Sequence, residues 1–278
     1  MNGNLQDYAG TAFDVVIVAG QSNAEGCGLG VKKPYVPNDK VLFLQSGYSA
    51  SVVKENGAER LDVSYTKPPR IEVAAMRTVN AEQIGELSLR FAERYVEGGV
   101  LSSGRKLLII RAAVGGTGFA KKHWGPSDIL FKKMLDLTDA ALALNPQNRL
   151  AALLWHQGEH DAFENPDMPA GKRRYSYYYN LKCLVRMVRD RYGRQSLPFI
   201  TGSFCGEWER KNRAVCEPVL EAARVVCREL GHAYFADASD LKSNNEAVGN
   251  GDDIHFCADS LSVLGDRYFD AFQRIAFG

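Results

Sequence analysis

Short apolar runs alternate along the chain with longer segments in which apolar residues recur at helical spacing. Six runs rich in Val, Ile, Leu, Ala and Phe are predicted as strands, covering residues 13–20, 41–45, 106–114, 150–158, 197–204 and 232–237. Several of them are apolar at both odd and even positions, which is typical of strands buried on both faces of a parallel sheet. The alternation therefore predicts an α/β fold in which helices cover both faces of a mostly parallel sheet.

Five segments have the spacing of an amphipathic helix. The first is predicted to begin at a capping-box-like pair, Asn80 and Gln83, and to end before Gly98 and Gly99. Its apolar stripe is Ile84, Leu87, Phe91 and Tyr95. The other four are predicted after a cap at Ser127, over residues 177–192, between residues 218 and 231, and from about Leu261 to the end of the sequence.

Residues 27–79 break this alternation, because they are rich in Gly, Pro, Lys and Ser and show weak periodicity. They contain one of the predicted strands, and we interpret them as a long insertion after the first strand of a single domain that covers residues 1–278. Ligands of open parallel sheets bind at the carboxyl ends of the strands. The insertion is therefore expected on the side of the sheet where a site would lie.

Composition narrows the possible partners and the compartment. Lys and Arg number 34 against 33 Asp and Glu, so the net charge is +1, which argues against a nucleic acid or a membrane recognised by bulk electrostatics. No export signal or membrane-length apolar run is visible, so we expect a cytoplasmic protein, while the oligomeric state stays open. Six cysteines without a Cys-x-x-Cys pair are expected to be reduced thiols: Cys27, Cys183, Cys205, Cys216, Cys227 and Cys257.

Four short polar segments follow strands or precede the last helix. The first strand ends in "GQSN" (residues 20–23), and a later strand ends in "GGTG" (residues 115–118). A third strand runs into "HQGEHD" (residues 156–161), and "DDIHF" (residues 252–256) precedes the last helix. Since the carboxyl ends of parallel strands meet at one edge, we expect these segments to converge on one crevice.

Together the four segments supply the groups that acyl transfer requires. Ser22 is a candidate nucleophile, and His255 is the candidate base that removes its proton. Asp252 lies three residues before His255 and is placed to hold the imidazole in one tautomer. Candidate oxyanion donors are the backbone N–H of Ser22, that of Gly116 or alternatively Gly115, and the side-chain amide of Gln157. Candidate substrate-binding residues are Gln21, Asn23 and Thr117.

The blocks "GQSN", "GGT", "WHQGEHD" and "DDIHF" resemble, in order, those of the SGNH hydrolase superfamily. Within it the chain is most similar to the sialate O-acetylesterase and acetylxylan esterase branch, carbohydrate esterase family six. The resemblance implies a flavodoxin-like three-layer α/β/α sandwich, no cofactor, no metal, and hydrolysis of acetyl esters on sugar hydroxyls. It implies a triad of Ser22, His255 and Asp252, with Glu159 of the "QGE" block as a second candidate for the acid, and Gly116 and Gln157 in the oxyanion hole.

Three other hypotheses remain. His156 to His160 fit the His-x-x-Glu-His pattern of zinc peptidases, but Gly158 disfavours the helix that this pattern needs. A carbohydrate-binding protein without catalysis would use aromatic rings such as Trp124, Trp155 or Trp208, although burial is the commoner fate of such rings. A thioesterase or lysophospholipase of the same superfamily would need an apolar groove, which the polar insertion at residues 27–79 does not favour. The "GxSxG" elbow of α/β-hydrolases is absent, because residue 24 is Ala.

Overall fold

An eight-stranded sheet forms the centre of the computed structural model, which describes residues 2–46, 48–55, 58–65, 67–165 and 167–278. The strands are β1 (Asn2–Asn4), β2 (Ala12–Gly20), β3 (Val41–Gln45), β4 (Tyr48–Glu55), β5 (Ala58–Tyr65), β6 (Arg70–Val73), β7 (Arg77–Val79), β8 (Glu82–Ile84), β9 (Arg105–Arg111), β10 (Arg149–His156), β11 (Phe199–Gly202) and β12 (Ala233–Ala236). The α-helices are α1 (Ser22–Glu25), α2 (Leu87–Glu97), α3 (Ile129–Ala143), α4 (Glu159–Phe163), α5 (Ala170–Arg191), α6 (Gly206–Lys211), α7 (Arg213–Leu230), α8 (Asn244–Val248) and α9 (Ala258–Phe277).

The strand order of the main sheet is β1-β6-β3-β9-β2-β10-β11-β12. The six strands from β3 to β12 in this order are parallel, whereas β6 pairs antiparallel with both β3 and β1. The fold is therefore α/β with a mostly parallel sheet, as predicted. Because β2 lies between β9 and β10, its carboxyl end is at the middle of the sheet edge.

Helices cover both faces of the sheet. Alternate residues of β2 face opposite sides, with Val15 and Ile17 in one core and Val16 and Val18 in the other. The first core includes residues of α3, α5 and α7, and the second includes residues of α2 and α9. Burial of β2 on both faces explains why its sequence is continuously apolar. Within the described part of the chain, no helix is both long and apolar enough to cross a membrane.

All six predicted strands are confirmed, but the start of the first predicted helix is wrong. Asn80 and Ala81 have positive φ angles of 50° and 66° and form the turn between β7 and β8, so Asn80 does not cap a helix. The helix begins only at Leu87 and ends at Gly98, as its C-terminal signal predicted. A turn with Asn in the left-handed region competes with a cap for the same residue type, and here the turn forms.

Other boundaries also differ from the predictions. Asp128, rather than Ser127, is the N-cap residue of α3. Helix α7 begins five residues before Pro218, and α9 begins three residues before Leu261. The insertion contains more than one strand, because β4 and β5 form a hairpin and β6 joins the main sheet. Short edge strands and hairpins carry little apolar periodicity, which explains why the sequence pattern misses them.

The cysteines agree with the prediction of free thiols. All six are free, and Cys205, Cys216, Cys227 and Cys257 are buried. The first three lie at or within helices that pack on the sheet, and Cys257 is the N-cap residue of α9.

A buried carboxylate anchors the amino-terminal end of the central strand. Asp14 is fully buried, and its oxygens accept hydrogen bonds from Arg105, Arg149 and Tyr95 at 2.6–2.9 Å. Burial alone would raise the pKa of Asp14, but the hydrogen bonds from the two arginines and the tyrosine outweigh it and lower the pKa. The two ion pairs therefore connect β2 with β9 and β10, and the hydrogen bond from Tyr95 connects it with α2, at the edge of the sheet opposite the candidate site.

We expect Asp14→Asn to lower the free energy of unfolding at pH 7 by about 3 kcal/mol, because two arginines lose their partner. A lowered pKa stabilises the fold above the carboxyl's unfolded pKa of about 3.9 and stops doing so as the pH falls through the folded value. The difference between wild type and variant should therefore shrink from pH 7 to pH 3 in urea titrations. Asp39→Asn, at an exposed carboxylate, is the control and should change little. A difference that is independent of pH would contradict this account.

Candidate active site

The candidate site begins where β2 ends, at Gly20. Gly20 has a φ of 127°, and a Cβ at this position would overlap the backbone carbonyl of His156, so only glycine fits. The N–H of Gln21 donates to that carbonyl at 3.0 Å, and the carbonyl of Gly20 accepts from Val114. These bonds join the ends of β9, β2 and β10. As a result, Ser22, the first residue of α1, lies at the carboxyl edge of the sheet.

Ser22, His255 and Asp252 form a continuous hydrogen-bonded chain. Ser22 Oγ lies 2.9 Å from His255 Nε2, and His255 Nδ1 lies 2.9 Å from Asp252 Oδ2. The backbone N–H of His255 also donates to Asp252 Oδ1 at 3.3 Å. All three side chains are partly exposed, so a substrate can reach them. The two sequence segments that were predicted to meet, 20–23 and 252–256, are therefore adjacent.

Asn244 supports Asp252 on the side away from His255, and no sequence motif predicts it. Its Nδ2 donates to Asp252 Oδ2 at 2.9 Å and to the carbonyl of Cys27 at 3.0 Å. Burial opposes ionisation of Asp252, but the hydrogen bonds from His255 and Asn244 prevail and lower its pKa. Asp252 is thus held as a carboxylate facing the imidazole. Asn244 is the first residue of α8, eight residues before Asp252, and no local motif marks it.

The two glycines of "GGTG" have different environments. The N–H of Gly115 donates to Glu25 Oε2 at 2.9 Å, so it is already satisfied within the protein. Among the described residues, no hydrogen bond takes up the N–H of Gly116 or that of Ser22. Gly116 has a φ of 71°, which glycine adopts readily. Of the two predicted alternatives, Gly116 therefore has the N–H that is free to receive an oxyanion.

The side-chain amide of Gln157 is engaged inside the protein. Gln157 is buried, and its Nε2 lies 2.7 Å from Asp161 Oδ2, 3.1 Å from the carbonyl of Thr117 and 3.2 Å from Gln21 Oε1. A primary amide has only two hydrogens to donate, and both have acceptors here. An oxyanion contact would require Gln157 to leave these acceptors. In this conformation the Gln157 side chain holds the segment after β10 against Thr117.

The predicted substrate-binding residues Gln21, Asn23 and Thr117 are buried in this conformation. Gln21 Oε1 accepts from the amide of Gln157 and from the backbone N–H of His160 at 3.2 Å. Thr117 Oγ1 donates to the carbonyl of Val114 at 2.7 Å and accepts from Trp124. Buried and bonded to protein groups, these side chains position the site and do not offer polar atoms to a substrate.

Asn23 and Glu159 connect the nucleophile segment to the histidine segment. Asn23 Nδ2 donates to Glu159 Oε1 at 2.7 Å and to the carbonyl of Ile254 at 3.2 Å. Asn23 Oδ1 accepts from the backbone N–H of Phe256 at 3.1 Å, so Asn23 holds the residues on both sides of His255. Glu159 was the alternative candidate for the triad acid, but its carboxylate bonds Asn23, whereas Nδ1 of His255 faces Asp252.

Glu159 is a fully buried acid with an incomplete set of partners. Its Oε2 has no hydrogen-bond partner among the described residues, and Oε1 lies 3.8 Å from His156 Nε2. Burial raises the pKa of Glu159 despite the hydrogen bond from Asn23. Burial also lowers the pKa of His156 to about 3, so this imidazole is neutral at physiological pH.

The histidines of the zinc-peptidase hypothesis do not face a common metal site, and the tryptophans of the carbohydrate-binding hypothesis are not at the surface. His156 Nδ1 lies 2.8 Å from Tyr268 Oη, whereas the ring of His160 faces Phe163, and no group of potential metal ligands in the described residues contains His156. Trp124, Trp155 and Trp208 are all buried in the core and present no face for a sugar to stack on.

A polar cavity of about 440 Å³ lies next to Gly115, because Val114 and Glu25, which accepts the N–H of Gly115, both line it. Arg70, Arg77 and Arg111 also line this cavity. Arg77 pairs with Glu25 at 2.5 Å, which fixes the carboxylate that accepts the N–H of Gly115. No sequence pattern predicts this pair, because 52 positions separate Glu25 from Arg77 and no motif joins them.

A serine hydroxyl, an imidazole and a carboxylate thus meet at the carboxyl edge of a mostly parallel sheet. The chain belongs to the carbohydrate esterase, sialic acid-specific acetylesterase family, whose sequence model matches residues 12–274. It is therefore a carboxylic ester hydrolase, and the family is one of carbohydrate acetylesterases. No curated protein matches the chain.

Solved structures share this fold. NanS superposes with a TM-score of 0.70 at 18% identity, over 95% of this chain and 98% of that one. A protein from Arabidopsis thaliana gives a TM-score of 0.66 at 19% identity, over 94% of this chain and 98% of that one. A carbohydrate acetylesterase from Xanthomonas citri gives a TM-score of 0.61 at 18% identity. The match covers 95% of this chain and 57% of the Xanthomonas protein.

We expect Glu159→Gln to keep the acceptor for Asn23 and to remove a carboxyl that resists ionisation. A raised pKa contributes stability that is complete below the unfolded pKa of about 4.3 and is lost as the pH rises through the folded value. The variant should therefore gain stability relative to wild type as the pH rises from 4 to 8, by at least about 1 kcal/mol. Urea titrations across this range measure it, with the exposed Glu97→Gln as control. A stability difference that stays constant from pH 4 to pH 8 would show that folding does not raise the pKa of Glu159 and would contradict this account.

Proposed function

We propose that this protein removes acetyl groups from carbohydrate hydroxyls by a serine mechanism with Ser22 as nucleophile, His255 as base and Asp252 as the orienting acid. The single observation that carries the proposal is the chain of two 2.9 Å contacts from Ser22 Oγ through the His255 ring to Asp252. An imidazole with a carboxylate on Nδ1 keeps Nε2 unprotonated and facing the hydroxyl, which is what proton removal requires.

In the acylation step, Ser22 Oγ attacks the acetyl carbonyl carbon while His255 Nε2 takes the hydroxyl proton. The carbonyl oxygen becomes negatively charged, and the N–H groups of Ser22 and Gly116 are the donors proposed to stabilise it. The tetrahedral intermediate collapses as His255 returns the proton to the sugar oxygen, which leaves as the alcohol. Water then attacks the acetyl-serine with the same base, and acetate and free Ser22 are released.

The polar cavity beside Gly115 favours a sugar as the alcohol part of the ester. Its walls carry arginines and glutamates, so it matches a hydroxylated and charged group better than a long acyl chain. Arg70 is its least constrained cation, since its side chain is 44% exposed and its Nε is 3.4 Å from Glu72. We therefore propose that the substrate is an acetylated sugar acid such as a sialic acid, which accords with the family.

We expect Ser22→Ala to lower kcat on p-nitrophenyl acetate by at least about 10⁴-fold, and Asp252→Asn by about 10³-fold, because the members of a triad act as a unit. Asp253→Asn is the matched control, because its carboxylate bonds Lys211 instead of His255. Labelling by a fluorophosphonate should be lost in Ser22→Ala and retained in Asp253→Asn. Equal activity of Ser22→Ala and wild type would refute the mechanism.

Acyl-chain preference separates the proposal from the thioesterase or lysophospholipase alternative. We expect wild type to hydrolyse p-nitrophenyl acetate faster than p-nitrophenyl octanoate, because the cavity beside the site is polar. Rates that rise with chain length would favour the alternative.

We expect Arg70→Ala to raise KM for an O-acetylated sialic acid roughly tenfold, the effect of losing one charge-assisted hydrogen bond, and to leave kcat nearly unchanged. The same variant should not alter KM for p-nitrophenyl acetate, which has no carboxylate. Arg60→Ala is the control, since Arg60 is exposed on β5 and does not line the cavity. If, for each substrate, the KM of Arg70→Ala equals that of wild type and of Arg60→Ala, Arg70 does not take part in sugar recognition.

A further inference from the structure

Three potential metal ligands meet outside the candidate triad. Glu59 lies on β5 of the insertion hairpin, His160 on α4, and Glu164 directly after α4. Their ligand atoms all lie within 4.8 Å of one another. About a hundred positions separate Glu59 from the other two residues, so only the folded chain brings the three together.

The buried imidazole of His160 has an unused nitrogen that faces this group. His160 is 3% exposed, and its Nε2 has no hydrogen-bond partner in the described part of the chain. This nitrogen lies 3.7 Å from Glu164 Oε2, too far for a good hydrogen bond. A buried polar atom without a partner is costly and needs an explanation. A cation between the imidazole and the carboxylates would supply the missing partner.

We propose that Glu59, His160 and Glu164 form a binding site for one divalent transition-metal ion of the Zn²⁺ type. One imidazole nitrogen with two carboxylates suits Zn²⁺ better than Ca²⁺ or Mg²⁺, which prefer oxygen ligands alone. Ligand bonds of about 2.0–2.2 Å require the three atoms to move closer than they are now. Glu59 and Glu164 are partly exposed, at 29% and 19%, and can adjust, and water can complete the coordination.

Lysines compete for the same carboxylates. Lys121 Nζ lies 2.9 Å from Glu164 Oε1, and Lys54 Nζ lies 3.5 Å from Glu59 Oε1. Both lysine side chains are long and partly or largely exposed, at 33% and 79%, so an ion can displace them into solvent. The site is therefore attractive to a divalent cation once Lys121 turns away.

The proposed ion would fasten the insertion hairpin to α4, which contacts the segment that carries Ser22. The hairpin passes close to Gly116, where an added Cβ would lie 3.5 Å from Val52 Cγ2. On the other side, the backbone N–H of His160 donates to Gln21 beside Ser22. The site is distinct from the His-x-x-Glu-His hypothesis, because it uses His160 without His156. Its role is structural, and it holds one wall of the crevice in place.

The test is a Zn²⁺ titration of the full chain by isothermal calorimetry after removal of metal with EDTA, with Ca²⁺ and Mg²⁺ titrated in parallel. We expect one Zn²⁺ per chain, with much weaker binding of the other two ions. Glu59→Gln and His160→Gln should each weaken Zn²⁺ binding 10- to 100-fold or more. Glu55→Gln, on the same hairpin and outside the cluster, is the matched control and should bind as wild type does.

Two further measurements distinguish a metal site from a simple ion pair. Lys121→Met should tighten Zn²⁺ binding several-fold, because it removes the competing cation, and Zn²⁺ should slow proteolysis of the hairpin in wild type but not in Glu59→Gln. The absence of saturable Zn²⁺ binding in both wild type and Lys121→Met would overturn the proposal. Zn²⁺ binding that survives both Glu59→Gln and His160→Gln would also overturn it, since the ion would then be bound elsewhere.

Discussion

The parallel pairing of β2 with a neighbour on each side is the constraint on which the candidate site depends. The end of β2 is fixed by the hydrogen bond from Gln21 to His156 and by the one from Val114 to Gly20. No other residue fits at position 20, because any side chain would overlap the neighbouring strand. The chain therefore turns from β2 into α1 at a fixed position, and Ser22 Oγ lies next to His255.

Buried polar side chains convert this position into a fixed geometry. Asn23 joins the nucleophile segment to Glu159 and to the backbone on both sides of His255, and Asn244 fixes Asp252. Such networks are costly when incomplete and rigid when satisfied. The side chains of Gln21, Asn23 and Thr117, which the sequence suggests as substrate ligands, are bonded to protein groups in this network. We propose that the backbone N–H groups of Ser22 and Gly116 and the arginines of the cavity are the groups left to contact the substrate.

Much of the architecture could be predicted, because a continuous apolar run indicates a buried strand. Strand β2 is the clearest case, since all nine of its residues are buried. The adjacency of "GQSN" and "DDIHF" could also be predicted, since both segments place polar residues beside strand and helix ends. The direction in which Gln157 points could not, because it is set by Asp161 and Thr117 through tertiary packing. The turn at Asn80 and the strands of the insertion depend in the same way on contacts that no short sequence window contains.

The most direct test of the account is to trap the covalent intermediate that it requires. Wild type is mixed with an excess of p-nitrophenyl acetate, quenched in acid within milliseconds, digested, and analysed by tandem mass spectrometry. The account predicts one acetyl group on the peptide that contains Ser22, located at its hydroxyl, and none in Ser22→Ala. Turnover with no acetyl on Ser22 at any quench time, or acetyl on another residue that persists in Ser22→Ala, would contradict it.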